Sequence, residues 1–305
     1  MSAIFYHRYA LTSAGALNAA SARTTHEGAL IRVGSGYGCL HPWPDLGDDA
    51  IEEQLQTLAQ GGRSPLIDGA LRCAAADGAA RIAGRSLFED AVPESHWLAL
   101  PGDEPMAVKK LGFDTVKLKF GRDIGPELEM MSSWSDAGFR LRLDCNETLS
   151  LSTFLEFWED LGEMKKSVQL IEDPVKWDPE SWRVLREIEV PVAVDRDAEE
   201  RFHPGEIAVI KPATSNWLPP GDARFLVTSY MDHAIGQCWA AVEAARLAKE
   251  EGNRFLGAGL LTHRCFETDE FFDQIQTDGP RLLSPGGTGL GFDELLEALP
   301  WKPLN

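Results

Sequence analysis

The sequence predicts an α/β fold in which a parallel β-sheet closes into a barrel, preceded by a smaller α+β segment. After residue 94, eight short apolar runs recur within about 165 residues, separated by helical or turn-rich spacers. Strands that alternate with helices are typical of a parallel sheet, and eight of them favour closure as a barrel. Because about 20 residues per unit is short for such a fold, we expect some connecting helices to be short or missing.

The first ninety or so residues have a different pattern, which predicts an α+β segment. Apolar runs at residues 4–11 and 29–33 predict two strands. Between them, residues 13–25 are small and polar and indicate a loop. The glycines of residues 34–38 indicate a turn-rich run after the second strand.

Two helices are predicted to complete this segment. The first covers residues 48–59 and ends at a glycine pair. The second begins with Ser64 at the N-cap and Pro65 at the first helical position, a combination that favours helix initiation. A change of pattern at residues 90–94 then predicts a domain boundary.

The eight strands of the predicted barrel come after this boundary. We place them at residues 97–100, 116–120, 141–146, 168–173, 191–195, 207–212, 225–230 and 255–261. Their apolar runs are short and continuous, as expected for strands that are buried on both faces of a parallel sheet.

The charge of the chain excludes several kinds of partner. Its 305 residues include 48 acidic and 29 basic side chains, a net charge of −19. Such a chain offers no basic face for nucleic acid or for an anionic membrane surface. In addition, no run of the sequence approaches the roughly 18 apolar residues that a membrane span needs. The first residues lack a signal-peptide pattern, and the five cysteines form no close pair. We therefore expect a soluble protein of the cytoplasm, and we make no prediction about its oligomeric state.

Five of the predicted strands carry charged residues near their carboxyl ends. In chain order these residues are Lys117 and Lys119, Asp144, Glu172, Asp195 and Lys211. Each of them alone has an ordinary explanation, such as a half-exposed strand, a turn at the strand exit or a helix cap. Charged residues are rarely buried, however, and barrel enzymes build their sites at these strand ends. The ordered series therefore predicts one catalytic site.

The chemistry of this predicted site follows from its charges. Three carboxylates on adjacent strands are a hard oxygen ligand set that suits Mg²⁺. A lysine beside the metal and another lysine loses its proton more readily, so it is able to act as a base. The metal would stabilise the enediolate that remains when a proton is removed next to a substrate carboxylate. Two other interpretations stay open at this point, a Schiff-base aldolase and a barrel retained as a scaffold without catalysis.

The order of these residues is similar to that of the enolase superfamily, in its muconate-lactonizing-enzyme subgroup. The matching pattern is Lys117-x-Lys119, Asp144-x-Asn146, Glu172-Asp173-Pro174, Asp195 and Lys211. The resemblance covers most of the chain and implies an α+β capping domain followed by a modified (β/α)7β barrel of the TIM type. We accordingly expect a capping domain over residues 1–93, completed by a glycine-rich tail at residues 286–305, and a catalytic barrel over residues 94–285.

Within this subgroup the chain most resembles the o-succinylbenzoate synthase family. The short chain and residues 141–146, 209–212 and 226–229 carry this resemblance. It implies an Mg²⁺-dependent hydro-lyase of menaquinone biosynthesis that dehydrates a small carboxylate, 2-succinyl-6-hydroxy-2,4-cyclohexadiene-1-carboxylate. A dipeptide or N-acylamino-acid epimerase, or a cycloisomerase, would use the same residues, so this alternative stays open.

The resemblance also implies a role for each residue of the site. Lys119 would be the base, Lys117 would assist it, and Lys211 would stabilise the intermediate from the opposite face. The metal ligands would be Asp144, Glu172 and Asp195, and the substrate-binding residues would include Asn146 and Ser229. Residues 13–25 would form the loop that closes over the substrate.

One position departs from the family pattern. The family often has Glu directly after the third metal ligand, whereas this chain has Arg196. The surroundings of Asp195 are therefore expected to differ from those in the family, and Asp197 is an alternative ligand.

Overall fold

Two β-sheets organise the protein, whose computed structural model describes residues 3–17 and 22–305. The strands are β1 (Ile4–Thr12), β2 (Thr25–Val33), β3 (Gly36–Leu40), β4 (Trp97–Leu98), β5 (Thr115–Lys119), β6 (Arg140–Asp144), β7 (Val168–Glu172), β8 (Val192–Val194), β9 (Ile207–Ile210), β10 (Phe225–Thr228), β11 (Phe255–Gly259), β12 (Thr277–Asp278), β13 (Arg281–Leu282) and β14 (Lys302–Pro303). The α-helices are α1 (Ile51–Ala59), α2 (Pro65–Ile82), α3 (Pro105–Lys110), α4 (Ile124–Asp136), α5 (Leu151–Asp160), α6 (Pro179–Glu187), α7 (Ala198–Arg201), α8 (Ala234–Glu251) and α9 (Asp293–Ala298).

The larger sheet has eight strands, and it confirms the predicted fold class. Its order runs from β4 to β11 with every strand next to its neighbour in sequence, and each pair is parallel. The two edges approach each other through a parallel bridge between Ser95 and Ala258 and a hydrogen bond of 2.8 Å from His96 N to Ala258 O. All eight predicted strands are present, as a near-closed barrel of the TIM type.

The short connections predicted from the spacing are also present. Helix α7, between β8 and β9, has only four residues. Residues 211–224, all of which the structure describes, join β9 to β10 without a helix. The barrel is therefore a reduced version of the regular alternation of strands and helices.

The smaller sheet is antiparallel, with the order β14-β1-β2-β3. Strands β1 and β2 pair along nine residues, from Ile4 opposite Val33 to Thr12 opposite Thr25. A separate apolar cluster lies between this sheet and helices α1 and α2. The predicted start of α2 is confirmed, because the hydroxyl of Ser64 accepts a hydrogen bond from Ile67 N at 3.1 Å.

The prediction of a turn-rich run at residues 34–38 was wrong in part. The chain turns at Gly34 and Ser35, but strand β3 begins at Gly36. A Cβ atom at Gly36 would lie 1.8 Å from Ala74 O, and one at Gly38 would lie 2.1 Å from Ala70 O. These glycines allow the strand to pack directly against the backbone of α2, which is why they imitate turn residues in the sequence.

The last part of the chain returns to α2 and to the smaller sheet. Strand β14 pairs with β1, whereas the glycine-rich run at residues 287–293 contributes one isolated bridge instead of a regular strand. Asp77 of α2 accepts a hydrogen bond from Leu290 N at 2.7 Å, and Arg81 donates one to Gly291 O at 2.8 Å. The domain boundaries at residues 93 and 286 stay predictions.

Helix α2 also contacts the barrel. A Cβ atom at Gly69 would lie only 1.8 Å from the carbonyl oxygen of Ala213, in the loop after β9.

Among the described residues, none of the helices has the length and apolar character needed to cross a bilayer.

Candidate active site

The predicted site residues meet in one cleft at the carboxyl ends of the barrel strands. Seven of the eight predicted residues line it: Lys117, Lys119, Asp144, Asn146, Asp195, Lys211 and Ser229. The eighth, Glu172, is completely buried and forms an ion pair with Lys117. Leu17, Trp43 and Leu46 line the cleft from the N-terminal segment.

Lys117 lies between two carboxylates at the ends of β6 and β7. Lys119 lies opposite Asp144 on the neighbouring strand, and Asp144 lies opposite Glu172 on the next. Lys117 Nζ is 2.5 Å from Glu172 Oε2 and 3.0 Å from Asp144 Oδ2. Burial disfavours the charged form of Lys117, but the carboxylates around it outweigh burial and raise its pKa above the usual range. Lys117 is therefore a cation in this structure.

Lys119 has the opposite behaviour. Burial lowers its pKa from the usual value, and the charge of Lys117 adds to this effect, while Asp144 opposes it. Burial also favours the neutral form of Asp144, yet Lys117 and Lys119 lower the pKa of that carboxyl to about 2. Of the two lysines on β5, Lys119 is thus the one that gives up its proton more easily.

Lys211 and Asp195 form a second ion pair in the cleft. Lys211 Nζ lies 2.6 Å from Asp195 Oδ1 and 2.7 Å from Oδ2. The ring of Tyr230 lies 5.6 Å from the same nitrogen. In the sheet order, β9 is four strands away from β5. Because four positions are half the circumference of an eight-stranded barrel, Lys211 and Lys119 enter the cleft from opposite sides.

Unusual backbone conformations surround the cleft. Asn146, Asp173, Asp197 and Met231 have positive φ angles between 42° and 53°, and each lies just after a barrel strand. Residues other than glycine rarely adopt this region, and such strain concentrates at functional sites. The carboxylate of Asp173 accepts hydrogen bonds from the backbone N–H groups of Asp195 at 3.1 Å and Arg196 at 3.2 Å, so it fixes the start of that loop.

The three predicted metal ligands have the donor chemistry that Mg²⁺ prefers, because all their ligating atoms are carboxylate oxygens. Glu172 Oε1 is buried and lacks a hydrogen-bond partner among the described residues, which leaves it available to a cation. In the described chain, however, no three His, Cys, Asp or Glu side chains are arranged as a ready metal site. The ammonium groups of Lys117 and Lys211 lie against these carboxylates instead, so a metal would have to take their place.

The two residues that follow Asp195 form ion pairs outside the proposed metal site. Arg196 Nη1 is 3.6 Å from Glu147 Oε2. Asp197 Oδ2 is 2.7 Å from Arg201 Nη2, and its side chain is 59% exposed. Asp195 is the acidic residue of this segment that lines the cleft, and Asp197 lies outside it.

Several cleft residues were missed by the sequence analysis. His96, Trp43 and Tyr230 also line the cleft. Trp43 Nε1 donates to Tyr230 O at 2.8 Å, and both Tyr230 Oη and Trp43 N donate to Asp48 Oδ2, at 2.9 and 2.7 Å. Tyr230 is 187 positions from Trp43 and 182 from Asp48, so no local pattern marks its contacts with them.

The predicted closing loop at residues 13–25 is described only in part. Leu17 lines the cleft, which agrees with the expected position of the loop. Residues 18–21 lie outside the described residues, and the closing role of the loop stays a prediction.

Comparison with known proteins identifies the family. The family model described as O-succinylbenzoate synthase, N-terminal domain, matches residues 4–80, and the model described as Enolase C-terminal domain-like matches residues 104–207. An o-succinylbenzoate synthase of Bdellovibrio bacteriovorus is 34% identical over 326 aligned positions, covering 99% of this chain and 98% of that protein. The chain belongs to the o-succinylbenzoate synthase family of the enolase superfamily. This confirms the resemblance found in the sequence and the prediction of an enzyme, a lyase of the o-succinylbenzoate synthase type.

Solved structures of the enolase superfamily have the same fold. A dipeptide epimerase of Enterococcus faecalis V583, complexed with Mg and the dipeptide L-Leu-L-Tyr, has a TM-score of 0.74 and 20% identity, covering 95% of this chain and 98% of that one. The L-Ala-D/L-Glu epimerase of Bacillus subtilis has a TM-score of 0.73 and 17% identity, with the same coverage. At these identities the likeness concerns the fold alone.

Proposed function

We propose that the protein catalyses the Mg²⁺-dependent dehydration of 2-succinyl-6-hydroxy-2,4-cyclohexadiene-1-carboxylate to 2-succinylbenzoate, as a cytoplasmic enzyme of menaquinone biosynthesis. The observation that carries this proposal is the full-length similarity to an o-succinylbenzoate synthase. The cleft supports it, because three carboxylates and three lysines, the groups that the proposed reaction would use, meet there.

The carboxylates of Asp144, Glu172 and Asp195 would hold the metal. When bound, Mg²⁺ would neutralise the substrate carboxylate and stabilise the negative charge that develops on it after proton removal. Lys117 and Lys211 already neutralise these carboxylates in the structure. Both lysines would therefore be displaced towards the substrate, where their charges would favour the anionic intermediate.

Lys119 would carry the proton. Its amine removes the hydrogen from the carbon that bears the carboxylate, and the electron pair of that C–H bond remains on the substrate as an enediolate. Collapse of the enediolate breaks the bond to the neighbouring hydroxyl group, and the Lys119 ammonium returns its proton to this leaving group, which departs as water. The lowered pKa of Lys119 suits a base that works near neutral pH.

The other cleft residues would orient the substrate. Lys211, from the opposite side of the barrel, would stabilise the enediolate as a cation. Asn146 donates to Asp144 Oδ1 at 2.6 Å, which places its side chain beside the proposed metal site. The hydroxyl of Ser229 lies 2.7 Å from that of Thr262 and is available to an oxygen of the substrate.

The test is turnover of the purified protein with the proposed substrate. We expect product formation with millimolar Mg²⁺, loss of activity with EDTA, and loss of activity in Lys119→Ala. Lys166→Ala, which removes a lysine that is 77% exposed, is the matched control and keeps wild-type activity. No turnover by the wild type, or turnover that survives Lys119→Ala, would refute the proposal.

A second candidate, epimerisation of a dipeptide or an N-acylamino acid, is favoured by the opposite placement of Lys119 and Lys211. Two bases on opposite sides of the cleft permit proton removal from either face of a carbon. Incubation of each enantiomer in D₂O tests this candidate. Incorporation of deuterium at the α-carbon of both enantiomers would support it, and incorporation in neither would exclude it.

A further inference from the structure

His96 is a buried cleft residue outside the series of charged residues. It directly precedes β4, at the point where the barrel closes. Its side chain is only 7% exposed, and it lines the cleft together with Thr228 and Gly259.

Arg142 determines which nitrogen of His96 carries the proton. Arg142 Nη1 lies 2.9 Å from His96 Nδ1. Because a guanidinium group only donates hydrogen bonds, Nδ1 must accept, and the proton of the neutral ring is on Nε2. Burial, with contributions from Arg142 and Lys117, lowers the pKa of His96 well below its usual range, which agrees with a neutral ring.

Arg142 is itself rigidly held. It is buried, with 2% exposure. Its other hydrogen bonds go to Gln169 Oε1 at 2.7 Å, Leu256 O at 3.0 Å and Ala258 O at 3.4 Å. All these acceptors are neutral. A carboxylate would compete with His96 for the guanidinium group of Arg142, and none of these acceptors does so to the same extent.

The imidazole of His96 packs against Gly259, and both residues line the cleft together with Thr228. In the described part of the chain, Nε2 forms no hydrogen bond. A Cβ atom at position 259 would lie 2.4 Å from His96 Cε1 and 2.7 Å from Nε2, so the glycine lets the imidazole lie directly against the backbone of β11. Thr228 Oγ1 is also buried without a partner among the described residues. A ring N–H group without a hydrogen bond and a buried hydroxyl without a partner therefore border one part of the cleft, which we call the Gly259 notch (His96, Thr228 and Gly259).

We propose that the Gly259 notch binds an oxygen acceptor on the substrate side chain, that His96 Nε2–H is its donor, and that Arg142 is a positioning residue that holds His96 in the donor tautomer. This inference rests on the proposed function. Strands β4, β10 and β11 lie across the barrel from β6, β7 and β8, which carry or precede the three proposed metal ligands. A substrate whose carboxylate binds there extends its succinyl side chain towards the Gly259 notch.

Two variants of His96 separate the donor from the contact with Arg142. His96→Asn keeps an acceptor near the position of Nδ1 but has no donor near Nε2, whereas His96→Gln keeps a donor there. Binding of 2-succinylbenzoate, 2-acetylbenzoate and benzoate is measured by calorimetry with Mg²⁺ present. We expect His96→Asn to weaken 2-succinylbenzoate binding about 10-fold, His96→Gln to recover most of it, and benzoate binding to stay unchanged in both.

Comparison of the ligands also identifies which oxygen of the succinyl side chain is bound. A loss with 2-acetylbenzoate as well as 2-succinylbenzoate assigns the notch to the ketone, and a loss with 2-succinylbenzoate alone assigns it to the distal carboxylate. Equal affinities of wild type and His96→Asn for 2-succinylbenzoate, or an equal loss for benzoate, would overturn the proposal. Absence of turnover by the wild type would instead contradict the proposed function.

The role of Arg142 has a test that does not depend on turnover. The ¹⁵N chemical shifts of His96 distinguish a protonated ring nitrogen from a bare one. We expect the wild type to show Nε2 protonated and Nδ1 bare, and Arg142→Met to show a mixture of tautomers. A wild-type spectrum with the proton on Nδ1, or no change in Arg142→Met, would refute the positioning role.

Discussion

Lys117 and Lys119 are separated by one residue on the same strand, yet the protein shifts their pKa values in opposite directions. Lys117 lies within 3.0 Å of two carboxylates, whereas Lys119 is half-buried near the positive charge of Lys117. One strand thus supplies both a permanent cation and an amine that titrates more easily. The period of two along a strand is sufficient for this, because it places both side chains on the cleft face.

Replacement of Lys117 by Met should make stability depend on Mg²⁺. Removal of one partner from a buried ion pair costs about 3–5 kcal/mol, because Glu172 and Asp144 would be left unneutralised. A cation that binds these carboxylates in the folded state should recover part of this loss. Thermal midpoints measured with EDTA and with millimolar Mg²⁺ should therefore differ more in Lys117→Met than in the wild type.

The matched control for this experiment is Lys166→Met. Lys166 pairs with Glu163 at the surface, where an ion pair contributes about 1 kcal/mol or less. The thermal midpoint of Lys166→Met should be close to that of the wild type, both with EDTA and with millimolar Mg²⁺. A Lys117→Met midpoint that is insensitive to Mg²⁺ would contradict the proposed ligand set.

Asp232 should make the protein less stable as the pH rises. Burial raises the pKa of Asp232 to about 7, and its Oδ1 is buried without a partner among the described residues. An unfolded Asp has a pKa of about 3.9, so the folded state holds the proton more tightly. The contribution of Asp232 to the free energy of unfolding should therefore fall from about pH 4 to about pH 7 and then level off.

Asp232→Asn removes this titration. Relative to the wild type, the variant should gain up to about 4 kcal/mol in free energy of unfolding between about pH 4 and about pH 8. Urea titrations at both pH values measure the gain. Asp222→Asn, at an exposed position, is the control and should show no such trend. A constant difference between Asp232→Asn and the wild type would exclude the raised pKa.

Gly69→Ala should destabilise the protein although alanine favours helices. The new Cβ would lie 1.8 Å from Ala213 O, so α2 and the loop after β9 would have to separate, at a cost of about 1–3 kcal/mol. Gly125→Ala in α4 meets no atom within 4 Å and should be neutral or stabilising by up to about 1 kcal/mol. Urea midpoints of the two variants compare them directly, and equal midpoints would show that α2 moves freely away from the barrel.

The barrel strands were predictable because their burial on both faces produces continuous apolar runs. The positions at which these strands end were less predictable. The predicted strands at residues 141–146 and 168–173 end in the structure at Asp144 and Glu172. The residues that follow, Asn146 and Asp173, adopt left-handed conformations that leave the sheet, and a sequence pattern does not reveal such a change.

The charged residues of the candidate site could be predicted from the sequence, whereas its uncharged residues could not. Buried charges at strand ends are rare, so an ordered series of them indicates a function. His96 and Trp43, in contrast, are ordinary residues until partners 46 and 187 positions away are known. Strand β3 was hidden for a related reason, since Gly36 is explained by the backbone of α2 and not by its own neighbours.

Asp77 binds three segments of the chain that the ribosome makes at different times. Its carboxylate accepts hydrogen bonds from Tyr37 N, from Arg81 Nε and, 213 residues later, from Leu290 N. At a synthesis rate of about 5–20 residues per second, the last partner emerges roughly 10–40 s after Asp77. The N-terminal segment is thus translated first but is fully bonded last, after the whole barrel has been made.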